Sequence, residues 1–154
     1  MTTSYDPTTT PTDADELVSW IASTLDADSR IEDLLRGAGR VYEARRPVDG
    51  ERSHVIVRER MQAGGRPQPF NGLGGPKVQV LFYTFPDEPN LEKWHRETQT
   101  RAYELLTGKT PNLQTSRVVQ PIRRRVRPGP PRYDDDVQQY FSMSTYHASL
   151  APKG

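Results

Sequence analysis

The spacing of apolar residues changes character along the chain. From Leu17 onward, Leu17, Trp20, Ile21, Thr24 and Leu25 recur every three or four positions, the period of a helix with one buried face. Asp13 stands before them with Glu16 three residues on, the spacing at which two side chains satisfy each other's free backbone amides. This predicts a helix over about 14–25. "SRIEDLLRGAGR" (29–40) reads as a second, shorter helix with Gly37 or Gly39 as its stop.

Beyond residue 40 the period falls to two. "RVYEARR" (40–46) and "SHVIVRER" (53–60) each alternate, and "PVDGE" between them holds the Asp-Gly pair of a tight turn, so a hairpin is expected. "MQAGGRPQPFNGLGGP" (61–76) has five glycines and three prolines and predicts a long flexible loop. "KVQVLFYTF" (77–85) is the clearest strand, with Val78, Val80 and Phe82 on one face and Leu81 and Tyr83 on the other. Two apolar faces imply a central position.

The helical period returns in "PDEPNLEKWHRETQTRAYELLTGKTP" (86–111), where Leu91, Trp94, Thr98, Ala102, Leu105 and Leu106 form a stripe. Gly108 stands where a left-handed cap belongs, and Pro111 bars continuation, so the principal helix is expected over about 88–107. "SRVVQPIRRRVR" (116–127) and "DVQQYFSMSTYHASL" (136–150) read as two last strands around a proline-rich turn. The order implies an α+β domain: a mainly antiparallel sheet, the long helix packed on one face, and an N-terminal helix. Residues 1–12, rich in Thr and Pro, read as a flexible arm; 13–150 as one domain; 151–154 as a short tail.

Composition then narrows the function. At 154 residues and 33% hydrophobic content the chain is about one domain with a modest core. Absence of cysteine excludes disulfides, thiolate zinc sites and a cysteine nucleophile, and fits a reducing cytoplasm. No run approaches a membrane span and no secretory leader is evident, so a soluble, unexported protein with no membrane partner is expected. Net charge is +1, but residues 1–35 carry eight acids and one base, a local −7, against +8 in the remainder. Such asymmetry favours head-to-tail contact between copies, or a partner of opposite sign.

Alternation through 117–127 places Arg117, Val119, Arg123, Arg125 and Arg127 on one face, and Val118, Ile122, Arg124 and Val126 on the other. Arg132 and the triplet Asp134, Asp135 and Asp136 follow. This arginine ladder is read first as a solvated or intersubunit face, with those aspartates as its partners in the same hairpin or in a neighbouring copy. Phosphate binding is the sharper alternative; without aromatic platforms or a reading helix it would be backbone-only and salt-dependent.

Catalytic patterns are weaker. "TGKT" (107–110) imitates a phosphate loop, but the required first glycine is Tyr103 and the motif follows a helix instead of opening one. Glu92 and His95 lie one helical turn apart without a second such pair, and His54, His95 and His147 come from separate elements, expected to be exposed or hydrogen-bonded. No Gly-x-Ser-x-Gly elbow occurs. No enzyme activity, metal or cofactor is expected.

The order of elements, with "KVQVLFYTF", "PDEPNLEKWHRETQTRAYELLTG" and "RYDDDVQQYFSMSTYHASL", resembles the tail-terminator (tail-completion, minor tail protein U-like) proteins of long-tailed bacteriophages over about residues 13–150. The resemblance implies a non-enzymatic homohexameric ring, assembled in the host cytoplasm. It would cap the head-proximal end of the tail tube, stop its polymerisation and join head to tail. Its implied partners are further copies of itself, the tail-tube protein, head-completion or neck proteins, and genomic DNA crossing the lumen. The arm at 1–12 and "RRRVRPGPPR" depart from the minimal pattern. The arginines would line a subunit interface or the lumen; the interface is favoured, because unpaired arginines in a lumen would hold passing DNA. Another neck connector, a tail-tube protein and a small nucleic-acid-binding module are the competing readings.

Overall fold

The computed structural model describes residues 13–43, 52–60 and 76–153. Helices α1 (Asp13–Asp26), α2 (Ser29–Leu35) and α3 (Leu91–Leu106) accompany strands β1 (Val41–Glu43), β2 (His54–Glu59), β3 (Lys77–Thr84), β4 (Ser116–Val126), β5 (Arg132–Asp134) and β6 (Gln139–Pro152). The six strands form one sheet in the order β1-β2-β3-β6-β4, with β5 also on β6. All pairs but one are antiparallel, so the expected α+β class holds. The expected arm at 1–12, the Asp-Gly turn and residues 61–75 of the expected loop lie outside the described residues.

The principal core lies between helices and sheet. Leu17, Ile21 and Leu25 of α1 meet Val55 and Val57 of β2, Val78, Val80 and Phe82 of β3, and Tyr146 and Ala148 of β6. Leu81 and Tyr83 point the other way and join Ile56, Val137, Phe141 and Met143 in a second cluster on the far face. Strand β3 is therefore central and apolar on both faces, as its sequence predicts.

Local signals explain most of the helix ends. Asp28 caps α2 by accepting from the Ile31 amide at 3.0 Å. At the other end Arg36 adopts the left-handed conformation at φ 60, and the Gly37 amide donates to the Glu32 carbonyl at 3.1 Å. The stop expected at Gly37 or Gly39 thus falls on Arg36. Helix α3 begins three residues later than predicted, after left-handed Asn90, and Gly108 follows it at φ 81 as expected. Its stripe is corrected too: Trp94, Thr98, Ala102 and Leu106 are buried together with His95 and Gln99, whereas Leu91 and Leu105 are only partly covered. The Glu16 carboxylate accepts from the Thr115 amide at 3.0 and 3.2 Å, tying α1 to the approach of β4.

Two strand expectations fail. Strands β1 and β2 are parallel, Val41 opposite Val55 and Glu43 opposite Val57, and so are not a hairpin. The Asp-Gly signal is local, whereas strand direction is decided by packing, which here aligns Val41 with Val55 and Val57 on the core under α1. The tail expected from 151 begins as sheet: Ala151 and Pro152 continue β6 opposite Arg117 and Ser116, and the Lys153 amide donates to the Thr115 carbonyl.

Candidate subunit interface

The arginine-rich strand β4 is the last in the sheet. Its pairing with β6 shifts register three times, between Val118 and Gln120, between Gln120 and Arg123, and between Arg124 and Val126. Each shift inserts a residue and resets the alternation. Pro121, which has no amide to donate, lies within this irregular stretch. Strict alternation therefore gives way to a different set: Arg117, Gln120, Arg123 and Val126 lie opposite Ala151, Ser149, His147 and Thr145, whose side chains share the far face. Val126, expected beside Ile122, instead stands 45% exposed.

Ile122 remains in the core at 0% exposure. Its backbone is held from outside the sheet: its carbonyl accepts from the Gly108 amide at 2.8 Å, and its amide donates to the Lys109 carbonyl at 3.0 Å. Arg124 lies on the helix side with Ile122, as the alternation predicts, and its guanidinium lies 4.3 Å from the Tyr103 ring centre.

Register then builds a cationic row across three strands. Lys77 of β3 lies opposite His147 of β6, and His147 opposite Arg123 of β4. Burial holds the His147 imidazole below its ordinary value, and the charges of Arg125, Arg123 and Lys77 push it further the same way. His147 is 8% exposed, and its Nδ1 has no hydrogen-bond partner. Arg117, Arg123, Arg125, Arg127 and Arg132 are exposed, and among the described residues they form no ion pair. Among the described residues no ion pair joins these arginines to Asp135 or Asp136. Asp134 accepts from the Asp136 amide at 3.0 Å, in the turn between β5 and β6.

Beneath α3 lies a polar network that the apolar stripe did not suggest. Gln99 Nε2 donates to Ser142 Oγ at 3.0 Å, and Ser144 Oγ donates to Gln99 Oε1 at 2.7 Å. Ser142 is then free to donate to His95 Nδ1 at 2.7 Å, which leaves His95 Nε2–H to donate to Thr84 Oγ1 at 2.8 Å. Burial lowers the His95 pKa to about 4, so the imidazole is neutral near pH 7. A serine donating to a histidine is the geometry of an activated nucleophile, but no carboxylate orients this imidazole; its other nitrogen is taken by Thr84. A cavity of about 300 Å³ opens beside it, between α3 and Pro128–Pro131. The signal was present in the sequence, as polar residues at core positions of both periods: His95 and Gln99 four apart, Ser142 and Ser144 two apart. Among the described residues no group of three His, Cys, Asp or Glu side chains is placed to hold a metal ion.

No family model matches the chain, and no curated protein does. A chain from a solved structure of the virion of a native gene transfer agent particle superposes with a TM-score of 0.68 at 16% identity, covering 94% of this chain and 100% of that one. A second solved chain superposes at a TM-score of 0.47 and 14% identity, covering 90% and 91% respectively, too loosely to bear on the argument. The protein thus has the fold of a virion chain, matched from end to end of that chain.

Proposed function

We propose that this protein is a structural component of a phage-like virion. Its role is to form a ring at the head-proximal end of the tail tube, ending tube growth and presenting the joining surface to the head. The observation that carries the virion reading is the end-to-end fold likeness to a virion chain. The tail-terminator role rests further on the order of elements and on the exposed cations of β4, which form no ion pair among the described residues and suit contact between copies better than they suit a catalytic site. In this reading the partners are other copies of the chain, the tail-tube protein and the head-completion proteins, with DNA passing through the ring, and there is no catalysis and no cofactor.

The test is light scattering of the purified chain over a concentration and salt series, followed by addition of tail-tube protein. Closed rings, or a monomer that closes only on tube ends and halts elongation, are expected. Open-ended tubes would identify a tube protein. A persistent monomer that ignores tubes and binds DNA with a steep salt dependence would replace the proposal with a nucleic-acid-binding role.

A further inference from the structure

The cations of β4 have a counterpart on the opposite side of the molecule. Asp26 ends α1, Glu32 lies in the first turn of α2 and Asp33 follows it; all three are exposed. Neighbouring acids are neutralised within the chain: Asp28 by Arg101, Glu88 by Arg36 and Glu97 by Arg30. Asp26, Glu32 and Asp33 form no ion pair among the described residues. Asp26 and Asp33 also sit where a carboxylate is least welcome, near helix C-termini that carry no base in the last turn.

We propose that the Lys77–Arg123–Arg125 face of one copy docks on the Asp26–Glu32–Asp33 corner of a second copy. Within one chain the two patches cannot meet. The cationic row lies on the far face of the sheet near its β4 edge, while α1 lies on the core side over β1 and β2, with α2 against α3. Patches of opposite sign on opposite sides make a heterologous, head-to-tail contact, the kind that closes into a ring when the rotation per copy permits. His147, more than nine-tenths buried and with Nδ1 unpartnered, sits within the row; burial first, and then the charges of Arg125, Arg123 and Lys77, hold its imidazole below the ordinary value, and among the described residues no carboxylate forms an ion pair with Lys77, Arg123 or Arg125.

A protein partner fits this strand better than a phosphate backbone does. Val119 and Val126 stand 58% and 45% exposed on β4. Apolar side chains gain from burial against another protein and gain little against phosphate.

The contact rests on the ring reading, and a charge swap tests it separately from tube capping. R123E/R125E should weaken self-association of the full chain at low ionic strength roughly 100-fold, with its unfolding transition unchanged. R123Q/R125Q should weaken it less. The reciprocal variant E32R/D33R should also fail to associate alone, and an equimolar mixture of the two reversed variants should recover assembly, because each supplies the sign that the other has lost. Wild-type-like association of R123E/R125E, no recovery in the mixture, or a wild-type chain that stays monomeric at low salt overturns the contact. Loss of binding to mixed-sequence DNA by R123Q/R125Q without any change in self-association assigns the face to nucleic acid instead. Association that follows the swap while tube growth continues keeps the contact and removes the terminator role.

Discussion

His95 and Ser142 meet at 2.7 Å in the layer between α3 and the sheet, and both are buried to within 3% of full enclosure. A neutral imidazole is required there. Burial lowers its pKa from 6.5 to about 4, so the unfolded chain takes up the proton first as the pH falls. The stability held by the neutral ring is complete above about pH 6.5 and is lost progressively down to about pH 4. Denaturant unfolding across that window should show a fall on the order of 2–4 kcal/mol. His147 titrates with the same sign, so the His95 share is isolated by H95L. That variant should flatten the slope while costing roughly 1–3 kcal/mol at neutral pH through the orphaned Ser142 and Thr84 hydroxyls. An unchanged slope would show that the ring does not titrate with folding.

Asp28 does two jobs, capping α2 and receiving Arg101 at 2.7 and 3.0 Å. The hydrogen bond from Arg101 holds its carboxyl below the ordinary range against an opposing effect of burial. Its contribution is present above the unfolded value of 3.8 and disappears as the pH drops through the lowered folded value, giving an acid limb separate from that of His95. Asp28→Ala should cost about 1–2 kcal/mol by thermal unfolding, the usual price of a lost N-cap. Asp28→Asn, which can still cap, should cost less.

On β4 two apolar residues three positions apart should behave oppositely. Ile122→Ala opens space in a fully enclosed site and should destabilise by roughly 2–5 kcal/mol. Val119→Ala removes an exposed side chain and should change stability by no more than about 0.5 kcal/mol. Equal effects would mean that the register shifts do not turn Val119 outward.

Gly108 at φ 81 has nothing within 4 Å of where a Cβ would stand. Gly108→Ala should therefore cost only the left-handed strain, about 1 kcal/mol, and Gly108→Asn less. A larger loss would place an unseen neighbour against the turn that holds Ile122.

The sequence was most readable where one period ran unbroken. Helix α1, the two-faced β3 and the Gly108 stop all follow from local spacing and turn chemistry. What failed depended on partners far along the chain. The direction of β1 was hidden behind a convincing Asp-Gly turn, because strand pairing is settled by packing under α1. The arginine ladder was legible as a cluster but only partly as a geometry: Arg124 lies on the Ile122 side as alternation predicts, whereas the inserted residues displace Val126 from its expected side. The network of His95 and Gln99 is not legible from the apolar stripe, whose members carry no sign of the polar residues buried beside them. The Trp94 indole donating to the Leu34 carbonyl at 2.8 Å, which locks α3 to α2, has no sequence signature.

The interrupted pairing of β4 also bears on how such a chain survives at high concentration. A smooth edge strand invites other chains to add to it, and runaway growth ends in fibrils. Here one edge of the sheet is bent by three shifts, broken by Pro121, crossed at Ile122 by Gly108 and Lys109 and studded with arginines; the other, β1, is three residues long. Among the described residues neither edge offers a continuous template of backbone donors and acceptors. The sheet resists open-ended stacking, and association between copies falls to side chains, whose hold ionic strength can loosen without unfolding the chain.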